Sequence, residues 1–269
     1  DGELVWYYQT TPGDDWDYTA TQNIILAEMT IEGVERKVLM QAPKNGFFYL
    51  LDRLTGELLA ADPFAYTSWA TSVDLATGRP VETPEARYDE VGAWLAPGPG
   101  GAHNWNPMSW SPQTGLVYIP GRNGMSFYRR NPDFVAVPGR FNTGTGGTAP
   151  RTVEPPPPPT PDGYLLAWDP VAREERWRIP YDTPRNGGTL ATAGNLVFSG
   201  RQDGWIYAHH ATTGEKLWEI FLAPGPGSMM TYQLDGRQYF TVLAGTGGTA
   251  GGRGGRVWTF ALEGTAPLP

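Results

Sequence analysis

The sequence predicts an all-β fold assembled from repeated hairpins, and three observations carry the prediction. Short runs of continuous or alternating apolar character recur at residues 4–8, 37–41, 47–51, 116–120, 165–169, 176–179, 196–199, 205–209, 217–221, 238–243 and 256–262, each of strand length. Turn dipeptides punctuate them: Thr55-Gly56, Thr77-Gly78, Thr114-Gly115, Asp162-Gly163, Thr213-Gly214 and Asp235-Gly236. No long amphipathic helix with caps competes with this pattern.

The first run, Asp1-Gly-Glu-Leu-Val-Trp-Tyr-Tyr8, opens inside what reads as a turn and strand, as expected of a processed or truncated chain. It has neither the basic n-region nor the apolar h-region of a signal peptide. Further along, a partial repeat emerges. Ala167-Trp-Asp-Pro-Val-Ala-Arg-Glu-Glu-Arg-Trp177 and Ala208-His-His-Ala-Thr-Thr-Gly-Glu-Lys-Leu-Trp218 share Ala at the first position and Trp at the eleventh. A strand ends at a tight turn, and its successor returns with a Trp anchor. Residues 1–6 look like the tail of the same unit, and Leu51-Asp-Arg-Leu-Thr-Gly-Glu-Leu58 like a variant without the Trp. A lone hairpin cannot bury both faces, so radial stacking into blades is the expected solution. A β-sandwich with coincidental Thr-Gly turns is the alternative.

Composition supports many turns and an aromatic core. The 269 residues include 11 Trp, 13 Tyr, 35 Gly and 26 Pro without a collagen-like period. A net charge of -8 argues against nucleic acid or an anionic membrane surface as partner. The absence of cysteine excludes disulfides, thiolate metal sites and covalently attached c-type haem within this sequence. No run of about 18 apolar residues offers a bilayer span. The stretch 151–162, with its proline run 155–159, reads as an extended surface loop. The glycine-rich run 245–255 lacks the Lys-Ser/Thr of a phosphate-binding loop and reads as a loop between strands.

Three ordered segments resemble the pyrroloquinoline quinone-dependent alcohol dehydrogenases, the quinoprotein family of methanol and ethanol dehydrogenases. They are Thr10-Thr-Pro-Gly-Asp-Asp-Trp-Asp-Tyr18, Gln41-Ala-Pro-Lys-Asn-Gly-Phe-Phe-Tyr-Leu-Leu-Asp52 and Asn186-Gly-Gly-Thr-Leu-Ala-Thr-Ala-Gly-Asn-Leu-Val-Phe198. The Ala…Trp repeats resemble that family's tryptophan-docking motif. The resemblance covers essentially the whole chain. It implies one partial domain over 1–269, about four blades from the C-terminal half of an eight-bladed propeller, with residues 264–269 as a tail. It also implies that a second chain, the N-terminal half, closes the ring and supplies the Glu and Asn that bind the metal.

By the same resemblance, Asp17 is the general base that takes the alcohol proton and lies near the Ca2+ site. Lys44 would face the quinone oxygens, where a cation stabilises the charge that develops on reduction. Asn104 would hydrogen-bond the cofactor, Trp105 would line the pocket, and Asn186 would sit at the cofactor's edge before a close approach at Gly187-Gly188. Arg185 departs from the Trp common in haem-containing relatives. Thr19 stands where the lanthanide-dependent branch carries a second Asp, which favours Ca2+. His209 and His210 read as turn or surface residues, and His103 as a residue behind the site. The implied function is oxidation of small-molecule alcohols to aldehydes in the periplasm, with electrons passed to cytochrome c. A noncatalytic, protein-binding propeller is the rival reading; Asp17 and Lys44 in their motifs discriminate, since a scaffold needs neither.

Overall fold

The computed structural model describes residues 2–145, 149–150, 154, 156–157, 160–184, 186–225, 227–245 and 255–266. Arg185, most of the proline run 155–159, most of the glycine-rich run 245–255 and the end of the tail, 267–269, therefore lie outside the described residues. The described chain is all strand and turn. In order the strands are β1 (Ile25–Ile31), β2 (Val34–Gln41), β3 (Phe47–Asp52), β4 (Leu58–Pro63), β5 (Ala70–Asp74), β6 (Arg79–Glu82), β7 (Ala93–Leu95), β8 (Ser109–Ser111), β9 (Leu116–Arg122) and β10 (Ser126–Tyr128). They continue with β11 (Gly163–Asp169), β12 (Glu174–Tyr181), β13 (Asn186–Thr192), β14 (Leu196–Arg201), β15 (Trp205–His210), β16 (Lys216–Phe221), β17 (Met229–Leu234), β18 (Arg237–Ala244) and β19 (Arg256–Ala261).

The chain forms two compact units, 1–104 with 122–162, and 105–121 with 163–269. The first holds the antiparallel sheet β1-β2-β3-β4 and the ribbons β5-β6 and β7-β10. Its core is aromatic, built on Trp16, Tyr18, Phe47, Tyr49 and Trp69. The second holds the sheets β8-β9-β11-β12, β13-β14-β15-β16 and β17-β18-β19. Its two apolar cores centre on Tyr118, Leu165 and Val197, and on Ile206, Met229 and Val242. Between β9 and β11, which are hydrogen-bonded neighbours, the chain leaves for the first unit and contributes β10 there.

The Ala…Trp repeat has a structural meaning. Ala167 pairs with Trp177 across one hairpin, Ala208 with Trp218 across another, and Leu50 with Ala60 in the variant without Trp. In all three a bulge follows the first partner. The turns are equally regular: Gly56 N donates to Asp52 O, Gly78 N to Asp74 O and Gly214 N to His210 O, each at 2.8 Å. Arg173 takes the glycine position of another such turn with φ 62°, a left-handed conformation that strains a side chain.

Trp docking recurs with one geometry. In the first unit the Trp6 indole lies on Gly56 and its Nε1 donates to Arg53 O at 3.1 Å. In the second, Trp177 lies on Gly214 and donates to Ala211 O at 3.1 Å. A Cβ at Gly214 would stand 2.9 Å from the Trp177 ring, on a backbone with φ 77°. Gly214→Ala is accordingly expected to destabilise the fold by about 1–3 kcal/mol, read as a lowered urea midpoint. An unchanged midpoint contradicts the docking role.

Two expectations need correction. Residues 4–8 are not a strand: this segment pairs with no described strand and is held by side chains, Trp6 and Tyr8 inward against Gly56 and Gly78, with Val5 and Tyr7 exposed. His209 is not at the surface but buried on β15, because the bulge between Ala208 and His209 breaks the alternation that would have turned it outward. His210 does sit in the turn, at the position occupied by Asp52 and Asp74 in its counterparts. Burial, which leaves Nε2 without a hydrogen-bond partner, lowers the His209 pKa. The unfolded chain therefore binds the proton more readily. Stability is complete above the unfolded value of about 6.5 and falls as pH drops below it. His209→Gln is expected to flatten that acid limb of a stability–pH curve; an identical limb removes His209 as its source.

Candidate functional site

The site is built on the loop that precedes β1. Buried aromatics alternate with exposed polar residues there, and each aromatic is fixed by a carbonyl. Trp16 Nε1 donates to Ala86 O at 2.9 Å, and Tyr18 OH donates to Pro97 O at 2.5 Å. Tyr88 OH donates to Asp15 O at 2.7 Å and Tyr128 OH to Trp16 O at 3.2 Å, so the backbone on either side of Trp16 is held as well. Desolvation by burial pushes the Tyr18 phenol far above its ordinary pKa, and it stays a neutral hydrogen-bond donor.

Three neighbouring aspartates have three different fates. Asp14 forms an Asx turn, accepting from Trp16 N at 2.9 Å. Asp15 pairs with Arg87 at 3.1 Å and Arg130 at 3.5 Å. Asp17, with φ 66°, keeps its side chain 61% exposed and faces Lys44. Lys44 comes from the β2–β3 connection, and its side chain is only 9% exposed. Its Nζ donates to Asp17 Oδ2 at 3.0 Å and to Asp17 O at 2.9 Å. The two residues singled out by separate motifs thus meet. Lys44 grips both the carboxylate and the backbone of Asp17, which holds this left-handed residue in place.

Residues around the pair hold the two loops together. Asn45, fully buried, donates to Thr10 O at 3.1 Å and to Tyr49 OH at 2.8 Å, while its carbonyl accepts from Trp69 Nε1 at 2.8 Å. The sequence reading quoted Asn45 inside a motif but gave it no role; its place between Lys44 and the turn glycine Gly46 was the available signal. Asn104 belongs to the same unit and donates to Gly100 O at 2.8 Å.

Trp105 and Asn186 lie in the second unit. Trp105 is 61% exposed. Asn186 opens β13, donates to Gly121 O at 3.2 Å, and accepts on its own carbonyl from Asn106 at 2.6 Å. The close approach at Gly188 is to Pro107, whose Cδ would lie 2.6 Å from an added Cβ. Among the described residues no three or more His, Cys, Asp or Glu converge as a metal site. An ionised carboxylate beside a buried ammonium can accept a proton at one end and meet an anionic ligand at the other.

Comparison with known proteins identifies the setting. Residues 1–61 and 161–240 match the family model for the β-propeller domain of glucose, ethanol and alcohol dehydrogenases that carry pyrroloquinoline quinone. The quinohemoprotein alcohol dehydrogenase ADH IIB of Pseudomonas putida is 49% identical across 100% of this chain, which spans 40% of that relative. The crystal structure of the Comamonas testosteroni quinohemoprotein alcohol dehydrogenase superposes with a TM-score of 0.88 at 43% identity, over 98% of this chain and 41% of that one. A europium-containing methanol dehydrogenase gives a TM-score of 0.77 at 33% identity, over 88% of this chain and 42% of that one. The chain thus spans about 40% of the length of the curated relatives it matches.

Proposed function

The chain belongs to the pyrroloquinoline quinone-dependent alcohol dehydrogenase β-propeller family, and from that premise we propose that it is part of a quinoprotein oxidising alcohols to aldehydes. The observation that supports the reading is the Asp17–Lys44 pair at 3.0 Å, one member exposed and the other buried. When bound, pyrroloquinoline quinone supplies the hydride acceptor and Ca2+ the Lewis acid that polarises it. Asp17 accepts the proton of the alcohol hydroxyl, which requires the carboxylate to be reachable, and its 61% exposure meets that need. Lys44 balances the negative charge that accumulates beside it. Asn104, Trp105 and Asn186 are each proposed as cofactor-binding residues, the first in the unit of Asp17 and Lys44 and the other two in the second unit.

The donor chemistry fits the quinone more fully than the cation. Lys44 spends two hydrogen bonds on Asp17, and an ammonium carries three donors, so one remains for an anionic ring substituent. A hard cation prefers about six to eight oxygens. This chain would offer the Asp17 carboxylate, and the remaining ligands would come from the N-terminal half, which we propose as the partner that completes the propeller. Thr19, which adds no second carboxylate, favours Ca2+ over a trivalent ion. Passage of electrons to cytochrome c and a periplasmic location complete the proposal and rest on family membership.

Reconstitution tests it. Adding quinone and Ca2+ to this chain together with the N-terminal half is expected to produce the absorbance of bound quinone and dye-linked alcohol oxidation, both lost with a chelator. A combined protein that neither binds quinone nor oxidises any alcohol overturns the reading.

A further inference from the structure

Lys44 does not hold its position alone. Three successive residues, Gly101, Ala102 and His103, all bear on the short segment 42–44. Gly101 has φ 77°, and a Cβ there would meet Lys44 Cγ at 2.4 Å and Lys44 Cβ at 2.5 Å. Real Cβ contacts do not come that close, so the lysine stem lies where it does only because residue 101 has no side chain. Ala102 N donates to Lys44 O at 2.9 Å. The His103 ring, 0% exposed, donates from Nδ1 to Ala42 O at 2.7 Å. The strip is itself held from behind. Arg122 Nε donates to Gly101 O at 2.9 Å, and Gln22 Nε2 donates to His103 O at 3.0 Å.

We propose that Gly101 and His103 are positioning residues for Lys44: the first leaves room for its stem, and the second anchors the backbone from which it rises. The proposal rests on the reading of Lys44 as the group facing the quinone. Chemically, the ammonium must satisfy Asp17 and still present a donor to the ring. A displacement of about 1 Å is enough to lose one of those contacts, and errors of that size in positioned groups can cost as much as about 100-fold. A fully buried imidazole with one ring nitrogen committed to the carbonyl two residues before Lys44 acts on that position through the backbone.

The test is a quinone-binding titration of the full-length apoprotein, followed by absorbance, with urea midpoints recorded alongside. Gly101→Ala is expected to weaken quinone binding about tenfold, and His103→Leu about fivefold. His103→Asn, whose Nδ2 can replace the lost donor, should recover most of the loss. In a Lys44→Met background, where the stem remains and the charge is gone, Gly101→Ala and His103→Leu should each change affinity by less than about twofold. A merely structural role predicts equal losses in both backgrounds and no specific rescue by Asn, and that result overturns the proposal while leaving Lys44 in its role. If Lys44→Met alone leaves affinity within about twofold, the reading of Lys44 itself falls, and the positioning inference with it. Should Gly101→Ala fail to fold, the His103 pair of variants decides.

Discussion

Asp17→Asn in the full-length protein is expected to lower dye-linked alcohol oxidation by about 100-fold or more, since a positioned general base commonly contributes that much. The substitution is close to isosteric and removes only the proton-accepting charge. Because the substitution removes the ionic partner of the buried Lys44, stability should fall by about 1–3 kcal/mol, read from the urea midpoint, and activity is compared under conditions where both proteins stay folded. The quinone absorbance should persist, since Lys44 stays in place and can still donate to the Asp17 carbonyl, now 2.9 Å away. Oxidation that remains within about twofold of the parent would remove Asp17 from the chemistry. Loss of both quinone and activity would instead mark Asp17 as a binding residue.

Trp16→Ala should be the most destabilising change near the site. The Trp16 indole is 0% exposed, with ring centroids 4.9 Å from Trp69 and 5.5 Å from Tyr18. The Arg87 guanidinium lies over it at 4.4 Å. Removing a buried Trp costs about 3–5 kcal/mol, and the Ala86 carbonyl would lose its donor at a further cost of about 1–3 kcal/mol. Trp16→Phe, which keeps the ring but not the N–H, should lose about half as much. Chemical denaturation measures both, and a Trp16→Ala loss below about 1 kcal/mol would show that the core does not depend on this ring. The change is also expected to reduce activity beyond the stability loss, because Asp17 is the next residue on the loop that the ring anchors at Ala86.

These two residues mark what was legible in the sequence. Turns at Gly56, Gly78, Gly214 and Gly236 were readable because a positive φ selects glycine locally, whatever surrounds it. The pairing of Ala167 with Trp177 and of Ala208 with Trp218 was readable because both hairpins keep one spacing. By contrast, β7, β8 and β10 have three residues each, too few for any periodicity to develop. β13 opens Asn-Gly-Gly, a turn-like beginning that tertiary packing overrides. His209 was misplaced because a bulge changes which face a residue takes, and composition does not announce bulges.

The site was legible through its motifs rather than through spacing. Nothing in the separation of positions 17 and 44 says that their side chains meet, and the left-handed conformation of Asp17 carries no glycine to announce it. The clamp from Gly101 to His103 was invisible for the same reason. Its logic is steric and backbone-mediated, and a glycine in a Gly-rich stretch reads as a loop until the neighbour it accommodates is seen.

The detour between β9 and β11 bears on how the molecule assembles. Two strands that end as direct neighbours must wait while residues 123–162 are made and settled into the other unit. Closing so long an excursion adds little to the equilibrium cost, since each doubling of a loop contributes only about 0.6 kcal/mol. The burden falls on kinetics: β8 and β9 form early as an open-edged pair, and β11 arrives late to cover that edge. During synthesis the unpaired edge of β9 is open to pairing with the wrong strand until β11 covers it.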